Sequence, residues 1–403
     1  MDIAVLGAGM VGVSTALALQ ARGHDCVLVD RSPPGAQTSY GNAGIIQAEA
    51  VEPYALPVNP LPLLRMAFGW KNAVDLDWRT LPGQVPALAA YWRASLPRSF
   101  QKIIPLWHRL VSEAVLRHAA LIEAAGADAL IRKDGYWQVH ETEAALAAAI
   151  LDAERRRQRY GIPFTPADQA ALSRAEPALR ARLAGAIHWT SPWTCRAPGD
   201  LVRAYAELFA AQGGRIVVGD AASLARSGAG WRVAGEDAEH VVVALGPWSP
   251  DLLKTFGYRV PMVRKRGYHR RYSGDAGLRR PMILADHSVV LSPMREGLQI
   301  ATGAELSAAA PRRDPRQLAR GEAVARSLLD LGAPVAGPPW SGTRPCLPGM
   351  LPLVCPARRH PGLWLHLGHG HQGFTLGPVT AELLARAIDG DAAAITGLDG
   401  GIR

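Results

Sequence analysis

The sequence is short of cysteine and has no long hydrophobic run. Its 403 residues include four cysteines, too few for a disulfide scaffold at this size, so we expect reduced thiols. No uninterrupted apolar stretch reaches the roughly 18 residues that a membrane span needs. The sequence starts Met-Asp-Ile, without a basic segment. We therefore expect no secretory signal and a cytoplasmic location, with contact to the inner face of a membrane left open.

Lysine is also scarce, although the chain is basic. Lysine and arginine together number 44 against 35 acidic residues, a net charge of +9, and only five of the 44 are lysines. The arginines are scattered, and the densest cluster, residues 155–159, has the pattern of a solvent-exposed helix face. Because no basic stripe with interleaved aromatics occurs, we expect no nucleic-acid partner. The positive charge favours carboxylate substrates or an anionic membrane surface.

The first thirty residues have the pattern of one compact unit. An apolar strand over residues 2–6 leads into a glycine turn, a helical pattern over residues 10–22 and a second apolar strand over residues 26–30. Gly23 stands where a glycine commonly ends a helix. This order predicts a βαβ unit and hence a parallel sheet with helices on its faces.

The glycine turn, residues 7–12, reads Gly-Ala-Gly-Met-Val-Gly and is called the glycine fingerprint below. Gly7 permits a tight turn, Gly9 lets the backbone approach a pyrophosphate, and Gly12 allows close packing of helix and strand. Asp30 follows Gly12 by 18 residues, at the end of the second strand, where an acid can bind ribose hydroxyls and disfavours a 2′-phosphate. The pattern predicts dinucleotide binding, with an ordinary glycine turn as the alternative.

The rest of the chain alternates between two kinds of pattern. Prolines and tryptophans recur over residues 50–105, which indicates an insertion of short helices. An α/β pattern returns after residue 200, and residues 260–303 read as an antiparallel sheet. The fold class predicted is α/β, with an interleaved Rossmann-like dinucleotide-binding domain and a substrate domain built on a mainly antiparallel sheet. The predicted division gives residues 1–50, 196–255 and 336–403 to the first domain and residues 51–195 and 256–335 to the second.

Four later segments carry a family resemblance together with the fingerprint. They are Ser-Tyr-Gly-Asn-Ala-Gly at 39–44, Val-Ala-Leu-Gly-Pro-Trp-Ser at 243–249, Trp-Ser-Gly-Thr-Arg-Pro at 340–345, and Trp-Leu-His-Leu-Gly-His-Gly-His-Gln-Gly-Phe-Thr-Leu at 364–376. In this order they resemble the FAD-dependent amino-acid oxidoreductases that include D-amino-acid dehydrogenase, glycine oxidase and sarcosine oxidase. The resemblance covers nearly the whole chain and is closest to the bacterial D-amino-acid dehydrogenases.

The resemblance implies non-covalent FAD. Adenosine would lie along the fingerprint and Asp30, and the flavin ring between residues 42–45 and 368–375. The helix that starts near Phe374 would point its positive end at the reduced ring. The predicted cofactor-binding residues are Gly7, Ala8, Gly9, Met10, Val11, Gly12, Asp30, Arg31, Ser39, Asn42, Ala43, Gly44, Ile45, Ala222, Gly246, Trp248, Gly368, Gly370, His371, Gln372, Gly373, Phe374 and Thr375.

The resemblance also implies catalytic residues. Arg344 would hold the substrate α-carboxylate through two parallel N–H donors, although an ordinary salt-bridged arginine is the alternative. Tyr268 would close over the substrate or be a buried strand tyrosine, and His369 would lie at the flavin edge. Gly349 replaces the aspartate of a Pro-Asp-Gly turn usual in the family. The spacing of the histidines at 366, 369 and 371 matches no standard zinc pattern, so we expect no metal.

The resemblance implies oxidative deamination of a D-amino acid or a cyclic imino acid such as D-proline or hydroxy-D-proline. Hydride would pass from the α-carbon to flavin N5, and electrons then to a quinone or another non-oxygen acceptor. A glycine- or sarcosine-type oxidase, a flavoprotein subunit of a larger electron-transfer complex and an NAD-dependent enzyme are the alternatives. The amino acid and its chirality, the acceptor and the oligomeric state stay open.

Overall fold

The computed structural model describes residues 1–59, 61, 72–308 and 310–400. The strands are β1 (Asp2–Leu6), β2 (Asp25–Asp30), β3 (Ile45–Ile46), β4 (Val74–Leu76), β5 (Ile131–Arg132), β6 (Tyr136–His140), β7 (Phe164–Asp168), β8 (Gly185–Trp189), β9 (Trp193–Cys195), β10 (Arg215–Val218), β11 (Ala225–Ser227), β12 (Gly230–Val233), β13 (Glu236–Ala238), β14 (His240–Val243), β15 (Val263–Tyr272), β16 (Met282–Leu284), β17 (Val289–Pro293), β18 (Leu298–Ala301), β19 (Ala304–Leu306), β20 (Trp340–Cys346), β21 (Leu353–Pro356) and β22 (Leu363–Leu367). The α-helices are α1 (Met10–Gln20), α2 (Val85–Ser95), α3 (Pro97–Ser112), α4 (Ala114–Ala124), α5 (Glu143–Tyr160), α6 (Gln169–Ala175), α7 (Pro198–Ala211), α8 (Ser249–Thr255), α9 (Arg316–Leu328) and α10 (Gly373–Ile388).

One sheet has the order β10-β2-β1-β14-β22-β21. Its first five strands are parallel, and β21 pairs antiparallel with β22. The carboxyl ends of β1, β2, β14 and β22 therefore meet at one edge, the usual place of a ligand in such sheets. The predicted βαβ unit is confirmed in β1, α1 and β2.

Helix α1 is covered on nearly all sides. Eight of its 11 residues are buried, and it packs between α10 and α7. Gly377 lets α10 approach closely, because a Cβ there would lie 2.9 Å from Met10 Cγ. This packing fixes the start of α1 at the edge of the sheet.

The second sheet has the order β4-β19-β15-β18-β17-β16-β6-β8-β7, and β20 pairs with β15. The strands of the predicted antiparallel stretch, β15 to β18, pair antiparallel with one another. Two junctions of this sheet are parallel, β16 with β6 and β19 with β4.

The strands of the first sheet all come from the three segments assigned to the dinucleotide-binding domain. However, β20 lies within residues 336–403 and pairs with β15 of the second sheet, and the domain division stays a prediction. Residues 97–124 form two helices, α3 and α4, and α3 continues through Pro105. Two prolines and a tryptophan of the insertion predicted over residues 50–105, at positions 60, 62 and 70, lie outside the described residues. Within the described ranges, no helix is long and apolar enough to cross a bilayer.

Candidate functional site

A cavity of about 1120 Å³ lies between the carboxyl edge of the first sheet and strands β15, β19 and β20 of the second. It brings together most of the residues predicted from the sequence. Those lining it are Gly7, Gly9, Met10, Val11, Asp30, Arg31, Ser39, Asn42, Ala43, Ile45, Ala222, Gly246, Trp248, Tyr268, Arg344, Gly368, His369, Gly370, His371, Gly373 and Phe374. Five predicted residues are not among the lining residues: Ala8, Gly12, Gly44, Gln372 and Thr375.

The glycine fingerprint has no room for side chains at two of its glycines. Gly7 has φ +110°, and a Cβ there would lie 2.6 Å from the carbonyl oxygen of Ala244. A Cβ on Gly12 would lie 1.7 Å from the carbonyl oxygen of Gly7. The hydroxyl of Ser39 accepts a hydrogen bond from the backbone N–H of Met10, at 3.0 Å. The turn between β1 and α1 is therefore held in one conformation, with the helix N-terminus at the cavity wall.

Asp30 shapes the loop as well as lining the cavity. Its Oδ2 accepts the N–H of Ala8 at 2.7 Å, and its Oδ1 accepts the N–H of Ser32 at 2.8 Å. Each carboxylate oxygen can accept a further bond, so Asp30 keeps the capacity to bind a ribose hydroxyl. Beside it, the guanidinium of Arg31 lies 5.0 Å from the ring centre of Trp248.

The loop at residues 42–45 is tied to two other strands. The side-chain oxygen of Asn42 accepts the N–H of Gly44 at 2.8 Å, and the hydroxyl of Ser292 donates to the carbonyl of Ala43 at 2.8 Å. Gly44 has φ +77°, and a Cβ there would lie 2.1 Å from the carbonyl oxygen of Cys195. This loop is thus a fixed wall of the cavity.

The loop between β22 and α10 forms the facing wall. Gly368 and Gly370 adopt φ +84° and +58°, in the left-handed region that favours glycine. The amide of Gln372 donates to the side-chain oxygen of Gln47 at 2.8 Å, and the N–H of Gln47 donates to the hydroxyl of Thr375 at 3.2 Å. Gln372 and Thr375 therefore support the loop from behind the cavity surface.

Of the three histidines at 366, 369 and 371, the first two hold neighbouring elements together. The Nε2 atoms of His366 and His369 lie 2.8 and 2.9 Å from the hydroxyl of Thr380 on α10, and Nδ1 of His366 lies 2.8 Å from the hydroxyl of Thr15 on α1. Burial lowers the pKa of His369 to about 3 and that of His366 well below its usual value. Both imidazoles are therefore neutral. His366 joins β22 to α1 and α10, and His369 joins the loop after β22 to α10. In the part of the chain that the structure describes, no cluster of potential ligands is arranged for a metal ion.

Arg344 extends into the cavity wall from β20. Its guanidinium crosses Gly267 of β15, where a Cβ would lie 2.6 Å from Nη2, and donates to the carbonyls of Gly303 at 2.8 Å and Thr302 at 3.1 Å. Desolvation lowers the pKa of Arg344, but an arginine keeps its charge. Among the described residues its hydrogen bonds go to carbonyls and not to a carboxylate. The guanidinium is thus a cation held at the cavity, with no carboxylate partner in the part of the chain that the structure describes.

Tyr268 lies on the opposite face of β15 from that cation. Its hydroxyl donates to Oε2 of Glu305 at 2.6 Å and accepts the N–H of Arg312 at 3.1 Å. Glu305 also pairs with Arg266 at 2.9 Å. The side chain is buried and its hydroxyl is held, as in a buried strand tyrosine, and the residue also lines the cavity. Both roles considered for Tyr268 therefore stay predictions.

Lys265 and Trp340 line the cavity but were not among the predicted catalytic and cofactor-binding residues. Lys265 stands directly opposite Arg344 in the β15–β20 register, and its ammonium lies 4.3 Å from the ring centre of Tyr91. His269 stacks on Trp340 with centroids 4.8 Å apart. The alternation of side chains along β15 could have predicted part of this arrangement. It places Lys265, Gly267 and His269 on one face of the strand and Arg266 and Tyr268 on the other.

These features fit FAD by shape and by donor set. The cavity runs from the fingerprint and Asp30 to the loop before α10, and the first turns of both α1 and α10 line it. Helix N-termini present free N–H groups and a partial positive charge, which suits a pyrophosphate at α1 and an anionic reduced ring at α10. The fixed glycines leave the backbone exposed where close approach is needed.

Comparison with known proteins agrees with this fit. The family model described as FAD dependent oxidoreductase matches residues 2–387. A D-amino acid dehydrogenase from Cereibacter sphaeroides is 33% identical over 428 residues, covering 100% of this chain and 95% of that protein. A D-amino-acid oxidase from Bradyrhizobium diazoefficiens is 28% identical, covering 96% and 95%.

Solved structures share the fold. Glycine oxidase from Geobacillus kaustophilus superposes with a TM-score of 0.69 at 21% identity, over 96% of this chain and 94% of the other. Iminodiacetate oxidase from Chelativorans sp. BNC1 gives 0.71 at 18% identity, over 96% and 95%. The predicted fold class and the FAD cofactor are thereby confirmed, and the chain belongs to the family of FAD-dependent oxidoreductases.

Proposed function

We propose that this protein is a D-amino-acid dehydrogenase that deaminates its substrate oxidatively and passes the electrons to a quinone or another non-oxygen acceptor. The observation that carries the proposal is the guanidinium of Arg344, which lies at the cavity and, among the described residues, donates to two carbonyls and to no carboxylate. An amino-acid carboxylate supplies the missing anion in bidentate geometry. The full-length similarity to proteins named D-amino acid dehydrogenase supports the same reaction class.

The chain contributes binding and orientation in this proposal. Arg344 fixes the α-carboxylate, and Lys265, opposite it on β15, adds positive charge to the same end of the cavity. Bound FAD supplies the two-electron acceptor for the hydride of the α-carbon. The substrate amine must be neutral for that transfer. Arg344 fixes the carboxylate and the loops exclude water, which together orient the α-hydrogen. The imino acid then leaves and hydrolyses in water.

The FAD is proposed to be held without a covalent bond. Cys346 pairs by its backbone with His369 of the loop before α10, but it is buried and not among the residues lining the cavity. We therefore expect a yellow protein that releases free FAD on denaturation. A colourless protein that FAD cannot reconstitute would overturn the proposal.

The activity is tested by anaerobic bleaching of the flavin with a panel of D- and L-amino acids, glycine, sarcosine and D-proline. We expect D-amino acids to reduce the flavin and a quinone or an artificial acceptor to reoxidise it. Stopped-flow mixing with air then separates this enzyme from an oxidase, the activity named for the relative from Bradyrhizobium diazoefficiens. Reoxidation by oxygen as fast as turnover identifies an oxidase and contradicts the dehydrogenase.

A further inference from the structure

The cavity wall made by β20, β15, β19 and β4 changes from cationic to apolar across the strands. In register, Arg344 stands opposite Lys265, Lys265 opposite Leu306, and Leu306 opposite Leu76. Ala304 and Val74 are the next paired residues on the same face of β19 and β4. Because side chains alternate along a strand, this face presents two cations followed by four aliphatic side chains.

The charged residues of these strands lie on the other face. Glu305, between Ala304 and Leu306, pairs with Arg266 and Arg312 at 2.9 Å each. Asp75, between Val74 and Leu76, pairs with Arg316 at 2.9 Å. Their carboxylates are therefore directed away from the cavity, so that no acid of β4 or β19 interrupts the aliphatic face.

Further apolar residues line the cavity beside these strands. They come from before β4 and from around α2, and they include Leu56, Leu81, Leu88 and Trp92. Leu56 and Leu88 pack against the hydrophobic cluster that contains Leu306 of β19. Gln47 and Tyr54, which also line the cavity, supply polar groups to another part of it. Together with the aliphatic face of β19 and β4 these apolar residues form an enclosure that we call the apolar subsite. It adjoins the guanidinium of Arg344, which reaches the carbonyls of Thr302 and Gly303 immediately before β19.

We propose that the apolar subsite receives the substrate side chain, so that the enzyme prefers amino acids with a large apolar side chain over small or acidic ones; this rests on the proposed function. With the carboxylate on Arg344 above β15, the side chain extends over β19 and β4. Neighbouring strands are about 4.8 Å apart, so the subsite reaches roughly 10 Å from the anchor. This span accommodates a norleucine, leucine or phenylalanine side chain.

The positive charge of Lys265 does not make the apolar subsite suitable for acidic substrate side chains. Its ammonium lies over the ring of Tyr91, at 4.3 Å from the centre, an interaction that partly compensates a buried cation. Lys265 also stands beside Arg344 at the carboxylate end of the wall. A second carboxylate would have to leave water to lie among leucines, which is costly without hydrogen-bond partners.

The first test is a homologous series on the holoenzyme: D-alanine, D-2-aminobutyrate, D-norvaline and D-norleucine, with D-glutamate and an artificial electron acceptor. Each added methylene should raise kcat/KM roughly fourfold, which corresponds to about 0.8 kcal/mol per buried CH₂, or roughly sixty-fold over the three methylenes of the series. D-glutamate should be poorer than D-norvaline. A flat or falling series, or a preference for D-glutamate, overturns the inference.

The second test introduces a charge at Leu88. In Leu88→Arg, kcat/KM for D-norleucine should fall by roughly tenfold or more, whereas D-alanine changes little and D-glutamate improves. The matched control is Val85→Arg on the same helix, because Val85 is 51% exposed and does not line the cavity. If Leu88→Arg loses FAD or folded structure, Leu88→Ala replaces it and should reduce the norleucine-to-alanine ratio by roughly tenfold.

The outcomes separate the two proposals. If no amino acid bleaches the flavin of the parent, the proposed function fails. If D-amino acids bleach it but the series and the Leu88 variants leave the norleucine-to-alanine ratio unchanged, only the apolar subsite fails.

Discussion

At the scale of single residues, the proposed chemistry depends most on the side chain of Arg344. Replacing it with methionine keeps the length of the stem and removes the charge. Because the substrate carboxylate then lies in the cavity without its partner, the loss of transition-state binding free energy should be about 2–5 kcal/mol. We expect Arg344→Met to retain FAD and to lose roughly 30-fold to 4,000-fold in kcat/KM, measured by steady-state turnover on the best amino acid.

Two controls separate this loss from a structural effect. Arg157→Met removes an exposed arginine that pairs with Glu154 on α5 and should leave turnover unchanged. Amides of the same amino acids, which lack the carboxylate, should be poor substrates of the parent and lose far less in Arg344→Met. Full FAD content with near-parental efficiency would show that Arg344 only supports the carbonyls of Thr302 and Gly303.

At the scale of elements, the turn between β1 and α1 depends on a close backbone approach. A Cβ on Gly12 would lie 1.7 Å from the carbonyl oxygen of Gly7, and that carbonyl has no freedom to withdraw because Gly7 itself packs against Ala244. Gly12→Ala should therefore displace the start of α1, with a cost of about 1–3 kcal/mol or more. We expect weaker FAD retention and a lower Tm, measured by flavin fluorescence and thermal unfolding.

The control for the glycine turn is Gly83→Ala. A Cβ at Gly83 meets nothing within 4 Å and the position has no positive φ, so FAD retention and Tm should stay at the parental values. If Gly12→Ala and Gly83→Ala behave alike, close packing at the turn does not control cofactor binding.

The elements also show what the sequence could predict. The β1-α1-β2 unit follows from contiguous residues, because period, glycines and the terminal acid all fall within thirty positions. The pairing of β15 with β20 joins Lys265 to Arg344 across nearly eighty residues, and no local pattern specifies it. The same holds for the bond between His369 and Thr380, which gives that histidine a partner on α10. The two roles considered for Tyr268 could not be separated from the sequence, because its hydroxyl partner Glu305 lies on another strand, 37 residues away.

At the scale of the whole molecule, buried neutral histidines should make stability depend on pH. Burial lowers the pKa of His118 to about 4, of His269 to about 4 and of His369 to about 3, whereas an unfolded histidine titrates near 6.5. The unfolded chain therefore binds more protons below pH 6.5. The stabilisation is complete above that pH and is lost progressively as the pH falls towards about 4.

His118 gives the sharpest test of this dependence. Its Nε2 lies 2.8 Å from the carbonyl of Phe374 and its Nδ1 lies 3.1 Å from the hydroxyl of Tyr205, so the neutral ring donates to the former and accepts from the latter. Glutamine can donate to the same carbonyl but takes up no proton.

We expect His118→Gln to reduce the slope of unfolding free energy against pH, measured by denaturant titration from pH 7.5 to 5. Near pH 5 the reduction in slope should approach about 1.4 kcal/mol per pH unit, the value that corresponds to the uptake of one proton on unfolding. The comparison with the parent cancels the other titrating groups, including Glu49, whose pKa is raised by burial. Equal slopes in parent and variant would mean that His118 is protonated alike in the folded and unfolded chains, and the buried neutral imidazole would not be a source of acid sensitivity.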